Sequence, residues 1–319
     1  MRRISSAGED LGAIDIGLID RHMGYPSLSI LRSDLQGILT SRLESLGVPI
    51  QYAHAVARLE TRNPQEAEVH FQNGTKTSAD VIVGADGRMA SCARQYVNGE
   101  NSPIYQGFVN WVGVYESEVE LFEEIAIADY WGVGERFGIV PVSKYKAYWA
   151  GAATRAETDP RNPADYKEEL RSIFAQWPRA VQRVIEGTPA ERINKIHVHD
   201  HNPIATWHKR NVIVIGDAAH APLPTSGQGA CQALEDAWHL ARCLKENGPD
   251  LENAFAEFTA RRLEKTTGII MTARAFAASL FNPDEGYCKA RNENSKRTDF
   301  AQVAAAMARG WSQGLLFNA

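Results

Sequence analysis

The sequence predicts an α/β protein with α+β elements, in which a doubly wound ligand-binding domain contains an inserted domain built on a mostly antiparallel β-sheet. Runs of β-branched residues that end in Gly-Asp or Asp-Gly, at 212–217 and 81–87, are typical of buried parallel strands. Between them lie short strands rich in aromatic residues. The predicted division is 1–102 and 200–290 for the two parts of the ligand-binding domain, 103–199 for the sheet domain and 291–319 for a C-terminal helix.

Length, charge and cysteine content limit the classes of function. The 319 residues suffice for a substantial core, and a net charge of −5 provides no basic field for nucleic acid or an anionic membrane. Apolar runs fall short of the roughly 18 residues that a membrane span needs. The cysteines form no C-x-x-C pair and no secretory leader precedes them, so we expect a cytoplasmic protein with reduced thiols, Cys231 and Cys243 being buried in a helix.

The stretch 212–244 predicts a strand, a loop and a helix that form a ligand site. Residues 212–215 favour a doubly buried strand, and Asp217 follows it at the carboxyl edge of the sheet, where ligands bind. Past a loop stiffened by Pro222 and Pro224, Gly227-Gln228-Gly229 begins the helix. A glycine-flanked helix start presents bare amide N–H groups and the positive end of the dipole. The predicted apolar face of this helix is Ala230, Ala233, Leu234, Ala237, Trp238, Ala241 and Leu244.

These two features suit a nucleotide-like cofactor. An acidic side chain just past a strand accepts hydrogen bonds from ribose or ribityl hydroxyls, and bare amides favour a phosphate or a delocalised anion. A second strand, 81–83, runs into Gly84-Ala-Asp-Gly87, followed by Ser91 and Arg94. Taken alone, either Gly-Asp or Asp-Gly pair could simply make a turn, so the longer strings carry the inference.

Three strings resemble the FAD-dependent aromatic-ring hydroxylases, the single-component flavoprotein monooxygenases. Gly216-Asp-Ala-Ala-His220 followed by Pro224-x-x-Gly-Gln-Gly229 resembles the second flavin-binding motif of that family. Residues 79–94 resemble its Asp-Gly fingerprint, with one extra residue before Arg94. Arg32-x-x-Leu35-Gln36 resembles the Arg-x-x-Leu segment that contacts flavin. The resemblance implies FAD as cofactor, bound by Arg32, Gln36, Asp86, Gly87, Asp217, Pro224, Gly227, Gln228 and Gly229.

The resemblance also implies roles for these residues. Asp217 would hold the sugar-like chain of the flavin, and the amides of 227–229 would stabilise its negative charge. Asp86 and Gly87 would lie near the pyrophosphate and the path of NAD(P)H. Arg32 alone would be expected to be a solvated surface residue, and the resemblance reverses that expectation.

Residues 1–30 contain no Gly-x-Gly-x-x-Gly turn between a strand and a helix. In the family resembled, a βαβ unit of about 30 residues or more carries that turn and holds the FAD pyrophosphate. Three explanations stay open: an amino-terminally incomplete sequence, a variant that binds flavin differently, or one that no longer binds it. Incompleteness is the favoured explanation because every later motif is strong.

Local patterns predict several further elements. Ser33 and Gln36 form a capping box for an amphipathic helix that Gly47 stops, and Asn73-Gly74 indicates a type I′ hairpin turn. We predict β structure over 48–60 and 68–83 and strands over 105–114, 127–132, 136–142 and 147–152. We predict helices over 167–174, 180–186, 251–280 and 297–315, the last covering an open surface or making a dimer contact.

The inserted sheet is the predicted substrate wall, since a pocket for a planar ligand needs apolar walls and a few fixed polar groups. The candidates are Asn110, Trp111, Tyr130, Arg136 and Tyr148. For Trp111 and Tyr130 the alternative is a place in the core, where strand aromatics are more often found. An arginine in the run 134–142 is costly unless it is paired with an anion, which makes Arg136 the sharper candidate.

This segment resembles the branch that contains urate, salicylate and 3-hydroxybenzoate hydroxylases. The implied reaction uses NAD(P)H and O2 to hydroxylate an anionic aromatic or purine-like molecule through a C4a-hydroperoxyflavin. Arg136 and Tyr148 would be the catalytic residues, Arg136 neutralising the substrate and Tyr148 hydrogen-bonding to it. The pattern does not choose among these substrates.

Other readings of the sequence stay open. They are a flavin oxidoreductase that does not insert oxygen, a non-catalytic ligand-binding protein that has lost FAD, and an NAD(P)-binding protein without flavin. The Trp-x-Trp-x-Ile-Pro string of halogenases is absent from the sequence, which disfavours that form of the first. His197, His199 and His201 alternate as a metal-binding strand would, but no acidic or cysteine cluster accompanies them and we predict no metal.

Overall fold

A computed structural model describes residues 1–63, 65–122, 125–159 and 161–315 of the chain. Two compact units are present. Unit 1 comprises Met1–Val48, Gly107–Val198 and Ala278–Ala319, and unit 2 comprises Pro49–Gln106 and His199–Ala277. The division predicted from the sequence stays a prediction, and residues 316–319 of its C-terminal helix lie outside the described residues.

The strands and helices are as follows. The strands are β1 Arg2–Ser5, β2 Asp10–Ala13, β3 Val56–Thr61, β4 Ala67–Phe71, β5 Lys76–Ser78, β6 Ile82–Gly84, β7 Ile104–Glu116, β8 Ala128–Trp131, β9 Glu135–Ser143, β10 Lys146–Thr154, β11 Asn194–Asp200, β12 His208–Lys209 and β13 Val212–Val214. The α-helices are α1 Ile16–Met23, α2 Arg32–Ser45, α3 Cys92–Asn98, α4 Tyr166–Ile173, α5 Arg179–Gly187, α6 Asp217–His220, α7 Gly229–Asn247, α8 Leu251–Leu280, α9 Glu285–Lys296 and α10 Phe300–Ser312.

Unit 1 is organised on a seven-stranded sheet with the order β11-β7-β10-β9-β8-β1-β2. The pairs β7–β10, β10–β9 and β9–β8 are antiparallel, as predicted, whereas β1 lies parallel to β8. The amino-terminal strands β1 and β2 therefore extend the sheet beyond the stretch predicted to form it. One face packs on α4 and α5 through a core that includes Trp111, Phe137, Trp149, Leu170 and Val184.

Unit 2 contains β6 and β13, the two strands that lead into Asp86-Gly87 and Gly216-Asp217. In a three-stranded sheet of order β12-β13-β6, β13 runs parallel to β6 with Val214 opposite Gly84. Because parallel strands end at the same edge, the segments after β6 and β13 leave the sheet side by side. A core of buried residues surrounds β13, including Val212, Ile213, Leu240, Phe255 and Phe258. A separate antiparallel sheet has the order β3-β4-β5.

Several predicted elements are confirmed, and α8 matches its predicted bounds. The predicted strands of the inserted sheet correspond to β7, β8, β9 and β10, and its helices to α4 and α5. Helix α9 and the elements β1, β2 and α1 carry no prediction. The predicted β structure of 48–60 is confined to β3, and the helix predicted over 297–315 is α10.

Three local predictions are corrected. The residue before α2 is Leu31 and Ser33 lies inside the helix, so the capping box is wrong. The β4–β5 connection is a hairpin, but Gly74 alone adopts a positive φ, 84°, and Phe71 pairs with Thr75, so the turn is a three-residue loop instead of type I′. The amphipathic face of α2 is not buried, since every residue of that helix is at least partly exposed.

Candidate functional site

The two strand tips of unit 2 are shaped by close glycine packing. A Cβ on Gly84 would lie 2.1 Å from the Cβ of Ala93, so the end of β6 touches α3 directly. Gly216, after β13, has φ of 56° and ψ of −140°, and a Cβ there would lie 3.2 Å from that of Ala233 on α7. Only glycine combines this backbone conformation with that approach, and the position of Asp217 follows from it.

Asp217 presents its carboxylate at the beginning of α7. A Cβ built on Gly229 would lie 3.8 Å from Asp217 Oδ1 and 3.7 Å from Cγ of Pro222. The side chain of Asp217 is 40% exposed, and its Oδ2 accepts a hydrogen bond from Arg88 Nη1 at 3.1 Å. The carboxylate is therefore available to a ligand that approaches the start of the helix.

In the part of the chain that the structure describes, no side chain caps the start of α7, and its first turn contains no acidic residue. Two of the three predicted amide donors already have partners in the loop: Gly227 N–H donates to Pro224 O at 3.1 Å and Gln228 N–H donates to Ser226 Oγ at 3.1 Å. Pro224 begins the short 3₁₀ turn that makes these bonds. The open amide groups therefore begin at Gly229, one residue later than the centre of the predicted trio.

Asp86 serves a different purpose from Asp217. Its Oδ1 accepts a hydrogen bond from Ser91 Oγ at 2.5 Å and its Oδ2 accepts one from Ala93 N–H at 3.1 Å. Ser91 in turn caps α3 by accepting from Arg94 N–H. Gly87 has φ of 78°, which makes the turn between the strand and this cap. Both oxygens of Asp86 thus brace the beginning of α3.

Arg94, the last residue of the fingerprint, ties the two tips together. The side chain is 1% exposed, and its Nη1 donates to the carbonyl oxygens of Ala218 and Ala219 at 3.2 Å each. Its Nη2 donates to Asn202 O at 3.2 Å. Burial lowers the pKa of Arg94, opposed by the charge of Glu100. Arg94 therefore acts as an internal strut between α3 and α6.

Arg32 and Gln36 lie in unit 1, on the first two turns of α2, and both side chains are exposed. Arg32 is close enough to Tyr148 for its charge to act on the hydroxyl. Burial raises the pKa of Tyr148, and the charges of Arg136 and Arg32 oppose that rise. The hydroxyl consequently keeps its proton at neutral pH and can donate a hydrogen bond.

The register of the large sheet places three of the five predicted substrate residues on one face. Ala152 of β10 pairs with Asn110 on one side and Arg136 on the other, and paired residues point to the same face. Tyr148 lies four residues from Ala152 on β10 and points the same way. Asn110, Arg136 and Tyr148 therefore form what we call the polar sheet face.

Arg136 has a protein anion as a partner. Its Nε donates to Asp129 Oδ1 at 2.6 Å, and Trp131 Nε1 donates to Asp129 Oδ2 at 2.9 Å. Asp129 is 1% exposed, and Arg3 pairs with it in register from β1. The anion predicted to accompany Arg136 is thus supplied, at least in part, by the sheet itself, and Asp129 fixes the orientation of the guanidinium group.

Trp111 and Tyr130 lie on the opposite face, and their assignment to the substrate wall is corrected. Trp111 is fully buried and its Nε1 donates to Glu169 Oε2 on α4 at 2.8 Å. Tyr130 is 6% exposed and borders a cavity of about 170 Å³ against α5. Successive strand residues alternate between faces, so the neighbour of Asn110 necessarily points into the helix-covered core.

The buried side of α7 also differs from the predicted one. Leu234 and Trp238 are 48% and 41% exposed, whereas the buried residues are Gln232, Asp236, His239, Leu240 and Cys243. Cys231 is exposed, against the prediction, and Cys243 is buried as predicted. Asp236 buries its charge because partners surround it, and an apolar pattern alone cannot reveal such partners.

The sequence reasoning missed Arg88, Asp129 and Asp236. Arg88 follows the Asp86-Gly87 pair directly, so its position beside a ligand-binding motif was the available signal. Asp129 and Asp236 each interrupt a segment predicted to be mostly apolar, the same sign that singled out Arg136. His197 and His199 are buried on β11, while His201 contacts the carbonyl oxygen of Arg88 through Nε2 at 2.7 Å. The described residues contain no cluster of three or more histidine, cysteine, aspartate or glutamate side chains that could hold a metal ion.

A carboxylate at the end of a parallel strand, beside an uncapped helix terminus, is the arrangement at which dinucleotide-like cofactors bind. The model of the FAD binding domain family matches residues 15–264, most of the chain. The chain therefore belongs to this family, the FAD-dependent aromatic-ring hydroxylases. None of the helices in the described residues is long and apolar enough to cross a membrane.

Curated relatives and solved structures agree with the family. The chain is 32% identical over 267 residues to aurachin C monooxygenase/isomerase of Stigmatella aurantiaca, covering 84% of this chain and 68% of the relative. It is 35% identical over 255 residues to FAD-dependent urate hydroxylase of Mycolicibacterium vanbaalenii, covering 79% and 64%. The chain thus spans about two thirds of the length of these relatives.

The fold also matches a solved structure of Klebsiella pneumoniae HpxO complexed with FAD and uric acid. The TM-score is 0.88 at 25% identity, and the match covers 99% of this chain and 81% of that one. A salicylate hydroxylase substrate complex matches with a TM-score of 0.69 at 22% identity, which shows likeness of fold alone.

Proposed function

We propose that the chain is a monooxygenase that uses FAD, NAD(P)H and O2 to hydroxylate an anionic aromatic or purine-like small molecule. The observation that carries the proposal is the exposed carboxylate of Asp217 beside the uncapped amides of α7. Two curated relatives, an FAD-dependent urate hydroxylase and a 3-amino-4-hydroxybenzoate 2-monooxygenase, support the same reaction class.

The residues of the Asp217 tip fit FAD. A carboxylate that is 40% exposed can accept hydrogen bonds from ribityl hydroxyls, and the amides from Gly229 onward can donate to the anionic edge of the ring system. Pro224 and Gly227 hold the loop that leaves this helix end open. Gln228 remains a proposed contact through its side chain, because its amide already bonds Ser226.

The other predicted cofactor residues keep their proposed roles in modified form. Asp86 and Gly87 would shape the backbone near the pyrophosphate, with the Asp86 carboxylate acting as a brace. Arg32 and Gln36, which are exposed at the beginning of α2, would contact the flavin with their side chains. Arg88, the partner of Asp217, would offer a positive charge to the diphosphate.

FAD, when bound, supplies the redox chemistry: two electrons come from NAD(P)H, one atom of O2 enters a ring C–H bond as hydroxyl, and the other leaves as water. The chain's own residues bind and orient the substrate. The polar sheet face and its neighbours carry Arg3, Arg32 and Arg136 against one buried carboxylate, Asp129, an excess of positive charge that suits an anion. The protonated Tyr148 hydroxyl would donate a hydrogen bond to that anion, and Asn110 would fix its orientation.

The decisive experiment measures FAD binding, NAD(P)H oxidation and product together. Purified protein should bind FAD, oxidise NADH or NADPH faster with an anionic aromatic such as urate, salicylate or 6-hydroxynicotinate, and yield a hydroxylated product by mass spectrometry. Stimulated oxidation without an oxygenated product would favour an oxidoreductase that does not insert oxygen. Protein that gains no thermal stability from FAD would favour a non-catalytic protein.

Arg136→Gln tests the substrate half of the proposal. Glutamine keeps an N–H donor for Asp129 but removes the charge, so we expect KM for an anionic substrate to rise about 10- to 100-fold. FAD affinity should stay within about threefold of wild type. The matched control is Arg192→Gln, an exposed arginine of the same unit paired only loosely with Glu116 at 3.4 Å, which should leave KM unchanged.

A further inference from the structure

A buried carboxylate, Asp236, holds both ends of the segment that carries Asp217. Its Oδ2 accepts the Gly216 N–H at 2.8 Å and lies 2.5 Å from Nε2 of His220. Gly216 comes directly before Asp217, and His220 ends the short helix α6 that Asp217 begins. Asp236 is fully buried and lies on α7, two turns from the helix start. One side chain thus clamps the residue before Asp217 and the residue three positions after it.

The second oxygen of Asp236 is bound by α8. Arg262 Nε donates to Asp236 Oδ1 at 2.7 Å, and this arginine is itself fully buried. Its remaining nitrogens donate to Glu235 Oε2 at 2.6 Å and to Gln232 Oε1 at 2.7 Å. Lys265 adds a second cation to Glu235 at 2.8 Å. The two acids and two bases balance one another, as buried charges must.

The charge of Asp236 is maintained by these contacts. Burial acts to raise the pKa of its carboxyl group, but the contacts with His220, Arg262 and the Gly216 N–H outweigh it and lower the pKa. The carboxylate therefore stays ionised at neutral pH. An ionised carboxylate can only accept hydrogen bonds, so Nε2 of His220 must carry the hydrogen of the bond to Asp236. This bond fixes the orientation of the imidazole ring.

The clamp holds a backbone conformation that is specific to glycine. Gly216 adopts a conformation with φ of 56° and ψ of −140° that is open to glycine and costly for other residues, and its carbonyl oxygen accepts the N–H groups of Ala219 and His220 at 2.9 Å each. Without the bond to the Gly216 N–H, this conformation would depend on the carbonyl bonds of Gly216 and on the bonds that Arg94 makes to Ala218 and Ala219. The direction of Asp217 would then be held less firmly.

We propose that Asp236 is a positioning residue of the cofactor site: it fixes the segment from Gly216 to His220 so that Asp217 faces the ligand, without touching the ligand itself. This inference rests on the proposed function, since it assumes that Asp217 binds FAD. Its consequence is that the effect of Asp236 on FAD binding passes through Asp217.

A double-mutant cycle on the full chain tests this dependence, with FAD as the titrated ligand and quenching of flavin fluorescence as the readout. We expect Asp236→Asn to weaken FAD binding about 10-fold in the wild-type background and less than about twofold in an Asp217→Ala background. Equal losses in the two backgrounds would overturn the proposal while leaving FAD binding, and hence the proposed function, intact. Absence of FAD binding by the wild type would instead refute the proposed function, and the inference with it.

A destabilised control separates positioning from loss of stability. Leu240→Ala removes an apolar side chain that is 4% exposed, one turn further along α7, and that makes none of the hydrogen bonds of the clamp. It should lower the melting temperature and leave FAD affinity within about threefold. If Leu240→Ala weakens FAD binding as much as Asp236→Asn at an equal thermal loss, the effect is one of stability and the proposal is wrong.

A pair of His220 variants provides a second route in case Asp236→Asn does not fold. Gln retains an N–H donor near the position of Nε2, whereas Leu has similar bulk and no donor. His220→Leu should weaken FAD binding about 10-fold, and His220→Gln should restore most of that loss. Equal FAD affinity in the two variants would contradict the clamp.

Discussion

The two acidic strand tips of unit 2 begin alike in sequence and end differently in structure. Each follows a short β-branched strand, and the strands β6 and β13 lie side by side and parallel. Both aspartates are accessible, but Asp86 accepts hydrogen bonds through both oxygens, from Ser91 and Ala93 at the start of α3, whereas Asp217 accepts one from Arg88 and lies beside the open start of α7. The difference teaches that the local donors decide whether an acidic tip braces the fold or meets a ligand.

Asp217→Ala should produce the largest effect on the ligand. Loss of charged hydrogen bonds to the cofactor predicts FAD binding weaker by about 30-fold, since such bonds contribute about 1.5–3 kcal/mol. The thermal stability of the FAD-free protein should change little, because the side chain is partly exposed and its pair with Arg88 is a partly solvated one. Isothermal titration with FAD and a melting curve of the same sample check both halves. A large loss of apo stability would make Asp217 a brace like Asp86.

Acid pH should lower the free energy of unfolding through His239, which lies on α7 beyond the Asp217 tip. His239 of α7 is 3% exposed, and burial, aided by the charge of Arg262, lowers its pKa from 6.5 to about 4. The unfolded chain then binds a proton that the folded one does not, so stability is lost as the pH falls from about 6.5 towards 4. At pH 5 this single group predicts a loss of about 2 kcal/mol relative to neutral pH.

The check is urea unfolding at pH 7 and pH 5 of wild type and of His239→Leu. The variant should lose about 2 kcal/mol less than wild type between these two pH values, because its side chain cannot take up the proton. An identical pH dependence in the two proteins would mean that His239 does not retain its low pKa.

Asp86→Ala should mainly affect stability. Removing an acceptor of one hydroxyl and one backbone N–H at a helix start costs about 1–2 kcal/mol of unfolding free energy. FAD affinity should change by less than about threefold, in contrast to Asp217→Ala. Asp80→Ala, an exposed aspartate just before β6, is the control for loss of a negative charge. A loss of FAD affinity as large as that of Asp217→Ala would remove the distinction between the tips.

Arg88→Gln should have the smallest effect on stability. The Arg88–Asp217 pair is 25% and 40% exposed on its two sides, so its loss predicts about 0–1 kcal/mol of unfolding free energy. If Arg88 meets the diphosphate, FAD binding should nevertheless weaken, and the weakening should shrink at high salt. A salt-independent FAD affinity in both proteins would exclude that role.

The sequence predicted the elements that periodicity controls. The 30-residue helix α8 and the strands of the inserted sheet follow from spacing alone, because those patterns repeat over many residues. The endings of 81–87 and 212–217 predicted that both strands finish at the carboxyl edge of a parallel sheet, as β6 and β13 do, although Val83 of β6 is 43% exposed instead of buried as predicted. The resemblance then identified the family.

What the sequence could not predict depends on partners distant in the chain. Asp236 is buried because Arg262, 26 residues away in the chain, binds it. The buried side of α7 therefore contains polar residues, whereas part of the apolar stripe predicted from the sequence is exposed. Trp111 and Asn110 were both predicted to line the substrate wall because the register of β7 was not known. Adjacent residues of a strand point to opposite faces, so Trp111 lies on the face opposite Asn110. The joining of β1 to β8 is likewise a long-range pairing without local signal.

Hydrogen exchange of backbone amides with and without FAD tests the central claim most directly, that the Asp217 tip binds the cofactor and the Asp86 tip braces the fold. FAD should strongly slow exchange over residues 216–232 and change exchange over 91–98 little. Unchanged exchange at 216–232, or equal protection of both segments, would contradict the account.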